Sequence, residues 1–300
     1  MIGLGLGAGL RNPIAIPVVP TGPPSLILIG SNTYPYGIYS SLDNGLTWNR
    51  ANSDAGVIHS FAVSGSRIWA ASPYIYYSDD NGIAWTTLTS LTCTVYGIAV
   101  VGSSIFVATQ ANGVYRSNDN GVSWQAVNSG LSTLYTYCLF ANGGYVFVGT
   151  SGGGVFRSNN NGASWTAVNS GLTGTRIATF TVSGSYLFAG HSYGISRSSN
   201  NGGSWTTVNS GLSNSNVHSL IVAGSNIFAG TDGGVSLSVN NGARWTTCPI
   251  GDVGGCNSLA AFGPYIYAGA PLGFYRSSNN GSSWSNVGLS NESVFAIMTM

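Results

Sequence analysis

A chain of 300 residues can bury one large core, and its 43% hydrophobic and 12% aromatic content excludes a disordered polymer. Only 6% of the residues are charged, the net charge is +1, and the nine basic residues are all arginine with no basic run. This balance argues against a nucleic-acid partner and suits a protein exposed outside the cell or built into an assembly.

Residues 1–24 stand outside the pattern that follows. They are apolar, but Pro13, Pro17, Pro20, Pro23 and Pro24 exclude a continuous helix and hence a membrane-spanning one. No positive residue precedes the apolar run and Arg11 follows it, which makes a poor secretory signal. The expectation is an extended Gly/Pro-rich arm, docked either on another structural protein or back on its own chain.

Residues 25–300 obey one period. The stretch Ser117–Trp124, SNDNGVSW, recurs seven times, closing on Trp48, Trp85, Trp124, Trp165, Trp205, Trp245 and Trp284. These tryptophans are 37, 39, 41, 40, 40 and 39 residues apart, the length of one four-stranded propeller blade. Each copy lies between short β-rich runs, and its Asn-Gly core is a tight-turn signal. The third position is Asp43, Asp80 or Asp119 in three copies and Asn160, Asn200, Asn240 or Asn279 in four. Asn keeps the acceptor oxygen and loses the charge, so this position is expected to form the turn and not to act as an acid or metal ligand. The tryptophan is expected to pin the turn onto its blade.

The pattern Ser-x-Asp-x-Gly-x-x-Trp resembles the Asp-box, or BNR repeat, of sialidases, sortilin-type receptors and photosystem assembly factors. The resemblance implies an all-β, seven-bladed propeller of four-stranded antiparallel blades. It implies no single activity, since the same repeat serves enzymes and binders.

Within each repeat four strands, A to D, can be marked, running in the fifth blade from Arg176 to Val208. The first repeat lacks an A strand, and the chain ends in a lone A-like strand, Ser293–Thr299. The C-terminal strand is therefore expected to join the first blade near Leu26–Ile29 and close the ring. Strand A has a small slot at Ser60, Gly97, Cys138, Thr179, Ser219, Ser258 and Ala296, followed by a bulky one. Strand B has a bulky slot at Leu28, Trp69, Phe106, Phe147, Phe188, Phe228 and Tyr267, which places Trp69 in the core.

Candidate chemistry is sparse. Arg116, Arg157, Arg197 and Arg276 share one repeat position, so they face around the ring and are expected to be solvated. Outside the turn position the carboxylates are Asp54, Asp79, Asp232, Asp252 and Glu292, with no convincing pair for glycoside hydrolysis. His59 and His218 are expected to line a polar rim of the central channel. Cys138 fills a core slot, and Cys248 and Cys256 could close a short loop as a disulfide. No Cys/His spacing matches a metal site, and no cofactor is expected. By the resemblance, ligands meet the face opposite the turns. There the B-to-C loops carry Tyr34, Tyr36, Tyr74, His191, Tyr193 and Asp232.

The expectation is a non-enzymatic binding or structural module on an exterior surface, a phage or viral structural protein at the virion surface or an extracellular one. It would dock through residues 1–24 and present the propeller to a surface glycan or protein receptor. A secreted adhesin or lectin-like propeller and a sialidase-type hydrolase are the alternatives.

Overall fold

The computed structural model describes residues 5–7, 26–34, 36–52, 55–251 and 253–300. They form six four-stranded antiparallel sheets and one sheet of five strands. Each innermost strand packs on the innermost strand of the next sheet, and the last returns to the first, so the sheets are seven blades in a closed ring. The fifth blade is representative: A is Ile177–Ser183, B Tyr186–His191, C Gly194–Ser198 and D Thr206–Thr207. The outermost strand is shorter than its sequence suggests, because most of its residues go into the turn before it and the loop after it.

Closure occurs as the sequence implies. The C-terminal strand Val294–Thr299 pairs antiparallel with Ile27–Ser31, from Ile27 opposite Thr299 to Ser31 opposite Val294. Leu26 and Met300 exchange both backbone hydrogen bonds at the end of this ladder. One further strand, Gly5–Gly7, lies on the inner side of the C-terminal strand, with Gly5 opposite Thr299 and Gly7 opposite Ile297. It also approaches the inner strands of the second, sixth and seventh blades, which places it in the central channel. Residues 1–4 and 8–24 of the expected arm lie outside the described residues.

The seven turns share one construction. In the third blade the Ser117 hydroxyl donates to Asp119 and accepts from the Gly121 amide at 2.8 Å, while Asp119 accepts from the Ser123 amide at 2.9 Å. In the fourth blade Asn160 takes the place of the acid and accepts from the Ser164 amide at 3.0 Å. The exchange is tolerated because both side chains supply the same oxygen. Asn120 and Gly121 have φ of 56° and 83°, and the six other Asn-Gly pairs are also left-handed. Only Gly carries this conformation at low cost, and Asn is the next best residue.

The same turns lock neighbouring blades. Each turn glycine from the second blade onward faces the bulky strand-B residue of the blade before it: Leu28, Trp69, Phe106, Phe147, Phe188 and Phe228. All six of these are fully buried. A Cβ on Gly162 would lie 2.6 Å from Phe106 Cε1, at a φ of 79°. Gly162→Ala is therefore expected to cost about 3 kcal/mol, from overpacking plus backbone strain, measured as a lowered urea midpoint. An unchanged midpoint would show that the interface yields freely.

Tryptophans and arginines complete the lock. Indole Nε1 of Trp165, Trp205 and Trp245 donates to the carbonyl of Val127, Val168 and Val208, each in the preceding blade. Trp48 reaches Val287 in the same way across the seam between the last and first blades. The expectation of solvated arginines needs correction. Nη1 of Arg116, Arg157 and Arg197 donates at 2.7 Å to the Asn161, Asn201 and Asn241 carbonyls of the next turn. Arg276 donates to Asn44 across the seam. The guanidiniums also lie over tyrosines, Arg157 over Tyr145 and Arg197 over Tyr186. Identical positions on successive blades point at the following turn, where each guanidinium donates to a backbone carbonyl.

The small slot of strand A has an equally local cause. A Cβ on Gly97 would meet the Tyr137 carbonyl oxygen at 2.9 Å, so this side approaches the next blade's backbone. Two of the slot hydroxyls use that proximity: Ser219 Oγ accepts from the Leu259 amide and Ser258 Oγ donates to the Val294 carbonyl.

The expected disulfide is not formed. Cys248 and Cys256 are both free thiols. Cys248 lies on the outermost strand of the sixth blade and packs beside Gly281, while Cys256 leads into the innermost strand of the seventh and contacts Gly230. The connecting loop crosses the blade, whose four strands span about 14 Å at the usual strand spacing. Burial raises both thiol pKa values, so neither is a ready thiolate. Cys138 is buried, as its slot requires.

Candidate functional site

The D-to-A and B-to-C loops emerge on the face opposite the turns. Around the channel mouth on this face, strand A begins with His59, Tyr96, Tyr137, Ala178, His218, Asn257 and Phe295. On one side these residues form a continuous stack. His59 meets Tyr96 edge-on at 4.8 Å, Tyr96 stacks on Tyr137 at 5.1 Å, and Arg176 lies 5.4 Å from the Tyr137 ring. Four blades are bridged by these contacts. Across the ring, Asp232 accepts from His218 Nε2 at 2.5 Å and from Asn216 Nδ2 at 2.7 Å. The mouth thus has an aromatic and cationic side and an acidic side. The polar rim expected from His59 and His218 is present, but the two histidines work through different partners.

Outside this rim the loops expose aromatic surface. Tyr34 is 83% exposed and meets Tyr36 edge-on at 6.1 Å. Tyr36, Tyr74 and Tyr193 are exposed as well, so four of the six candidate residues present a phenol to solvent. The carbonyl of Tyr36 accepts from Arg50, which fixes that loop's backbone. Three further exposed side chains share the face and were not singled out from the sequence: Leu134, Tyr135 and Leu272. Leu134 and Tyr135 sit in a D-to-A loop, which the Tyr-Pro-Tyr and Ser-Tyr-Gly loop signals do not mark.

His191 is the exception among the candidates. It is fully buried, and its Nδ1 accepts the Tyr193 amide at 3.2 Å while Nε2 lies 2.9 Å from Ser196 Oγ. The amide can only donate, so the ring is the neutral Nε2–H tautomer, and burial lowers its pKa to about 4. It is a loop brace and not a ligand contact. Equivalent positions in other blades hold Thr109, Thr150 and Thr231, whose hydroxyls likewise accept an amide of the same loop and also donate to a glycine carbonyl there. The sequence offers a signal for this: alignment with those threonines puts His191 at the end of strand B and not in the loop.

Glu292 is also a brace. Its carboxylate accepts from Ser31 Oγ and from the Tyr39 hydroxyl, tying the tail strand to the first blade. Burial, and next the charge of Glu292, raises the Tyr39 pKa. Asp43, Asp79, Asp80 and Asp119 are on the side of the turns, and Asp54 and Asp252 lie outside the described residues. Hydrogen bonds within the turns lower the pKa of Asp43 and Asp119 to about 2, so both are anionic turn-formers at neutral pH. Among the described residues no three His, Cys, Asp or Glu side chains gather as a metal site, and no helix is long and apolar enough to cross a membrane. The arrangement offers hydrogen-bonding and stacking surface around a channel mouth.

The fold and this face define a seven-bladed β-propeller. A family model described as a DUF6242 beta propeller domain matches residues 127–254, the regular central blades. Among solved structures, YCF48 from Cyanidioschyzon merolae is similar at 15% identity and a TM-score of 0.60, over 80% of this chain and 94% of that one. A GH74 xyloglucanase from Xanthomonas campestris is similar at 15% identity and a TM-score of 0.69, over 96% of this chain and 55% of that one. The computationally designed protein Ika8 matches at 12% identity and a TM-score of 0.61, over 95% and 92%. At such identities the likeness is one of fold. No curated protein sequence matches the chain.

Proposed function

We propose that the chain is a non-enzymatic recognition module whose loop face takes a surface glycan or protein receptor, on a virion or another extracellular surface. The observation that carries this is the concentration of exposed tyrosines, Tyr34, Tyr36, Tyr74, Tyr135 and Tyr193, on one face of a rigidly stapled ring. Tyrosine supplies apolar area and a hydroxyl with only two side-chain torsions to fix, which suits it to sugar rings and protein surfaces alike. Among the described residues, the loop-face carboxylates Asp232 and Glu292 already hold donors and lie in different blades. That favours binding over glycoside cleavage. The docking partner expected for residues 1–24 is assigned to residues 8–24, since Gly5–Gly7 pair within the ring.

The double substitution Tyr36→Ala and Tyr193→Ala is the test. On an array of surface glycans and in binding to host cells, it is expected to lower affinity at least about tenfold while the melting temperature holds. Because the contacts are apolar, wild-type binding is expected to change little between low salt and about 0.5 M salt. Unchanged binding by the double variant would move the recognition surface elsewhere. Turnover of a sialoside or xyloglucan would overturn the non-enzymatic reading.

A further inference from the structure

We propose that the inner edge of the C-terminal strand is a peptide-binding site. It takes one antiparallel strand in which every second residue is glycine, and in the intact chain Gly5–Gly7 supply it.

The backbone registers define the edge. Leu26 and Met300 exchange both hydrogen bonds, so they are a bonded pair of the ladder between the first B strand and the tail. Bonded and non-bonded pairs alternate along an antiparallel ladder. Met298 opposite Leu28 is therefore the next bonded pair. Ile297 and Thr299 then turn their N–H and C=O groups the other way, toward the channel. Those are the residues opposite Gly7 and Gly5. Two residues of the tail thus turn four ladder groups away from the first B strand and toward the bore, and the N-terminal strand sits in register with them.

The sequence fits the place. Residues 3–9 are GLGLGAG, with glycine at each odd position. Side chains alternate between the two faces of a strand, so one face of this strand has none. A bare face lets a backbone approach closely where a Cβ would collide. The strand touches the inner strands of the second, sixth and seventh blades, so close approach on more than one side is what the channel demands. Affinity comes from main-chain hydrogen bonds and selectivity from the missing side chains, the logic of β-strand addition.

Because the strand joins the ring through residues 8–24 alone, its binding is separable from the ring's covalent path. The test uses the whole chain, with a specific protease site replacing residues 19–24. The protein is folded and then cut. The released N-terminal segment is expected to stay with the ring through gel filtration at one per ring, with the ring's melting temperature unchanged. A fluorescent synthetic peptide of residues 1–10 in excess is expected to replace it. The same peptide with Gly5→Pro and Gly7→Pro lacks both ladder donors and is expected to compete at least tenfold more weakly. So is a peptide carrying Gly5→Val and Gly7→Val, which keeps the donors and fills the bare face. Elution of the cut segment apart from a folded ring would overturn the proposal. So would equal competition by the variant peptides. Disulfide trapping in the uncut chain gives an independent reading. Leu6 and Met298 form the non-bonded pair, and cysteines placed there are expected to join within one chain; crosslinks between chains, or none, would overturn the assignment to the chain's own strand.

Discussion

Removing residues 293–300 is expected to abolish cooperative folding. The tail supplies the innermost strand of the first blade, and Val294, Ala296, Ile297 and Met298 are fully buried there. At roughly 2 kcal/mol each for Val294, Ile297 and Met298 and about 1 kcal/mol for Ala296, the loss is on the order of 7 kcal/mol. Domain stabilities are only about 5–15 kcal/mol, so little would remain. The edge of Ile27–Ser31 would open as well, with its backbone groups unpaired. Near-ultraviolet circular dichroism and dye binding would show a loosened chain with exposed apolar surface. A milder variant keeps the question open to measurement if the deletion does not express: Ile297→Ala is expected to lower stability by about 3 kcal/mol. A truncated chain that melts cooperatively at the parent temperature would show that the ring does not depend on this strand.

Acidification from pH 7 to pH 4 is expected to destabilise the ring through His191. In the folded protein its pKa is about 4, because burial penalises the charged ring. In the unfolded chain an ordinary histidine titrates near 6.5. Between these values the unfolded state binds a proton that the folded state does not. Stability is therefore complete above about pH 6.5 and falls as the pH drops toward 4, by about 3 kcal/mol in all. The turn aspartates Asp43 and Asp119 also favour the folded state, but their pKa values near 2 place their losses lower on the scale, as the carboxylates protonate. His191→Thr, which installs the residue found in three other blades, isolates the effect. Urea midpoints at pH 7 and pH 4.5 are expected to differ less in the variant than in the parent. Equal slopes would mean that the buried imidazole is not the group responsible.

The sequence carried the architecture because a repeat states each rule seven times. One Ser-x-Asp-Asn-Gly turn is an ambiguous hairpin signal; seven at a constant period leave room for one arrangement. The missing first A strand and the extra last one identify the closing pair from the residue pattern alone. Interactions between repeats were less legible. Nothing in the local pattern around Arg157 says that the Asn201 carbonyl lies within its reach, since that distance depends on blade twist. The thiols failed for a related reason: Cys248 and Cys256 are eight positions apart in sequence, but the loop between them traverses a blade. Exposure at the loop face was legible for tyrosines beside Gly or Pro and misjudged for His191, whose strand ends one residue later than the loop signal implies.

The Leu26–Met300 pairing has a mechanical consequence. Both ends of the ring leave from one point, on adjacent strands that run in opposite directions. A load applied between those ends does not shear the ladder as a whole. It peels the pairs apart singly, beginning at Leu26 and Met300, and each rupture needs only the force that breaks one pair. A ring tethered by one end keeps its seam out of the load path and can bear tension through the staples between blades. A ring stretched between two anchors at residues 26 and 300 would open at its seam first, long before any blade unfolds.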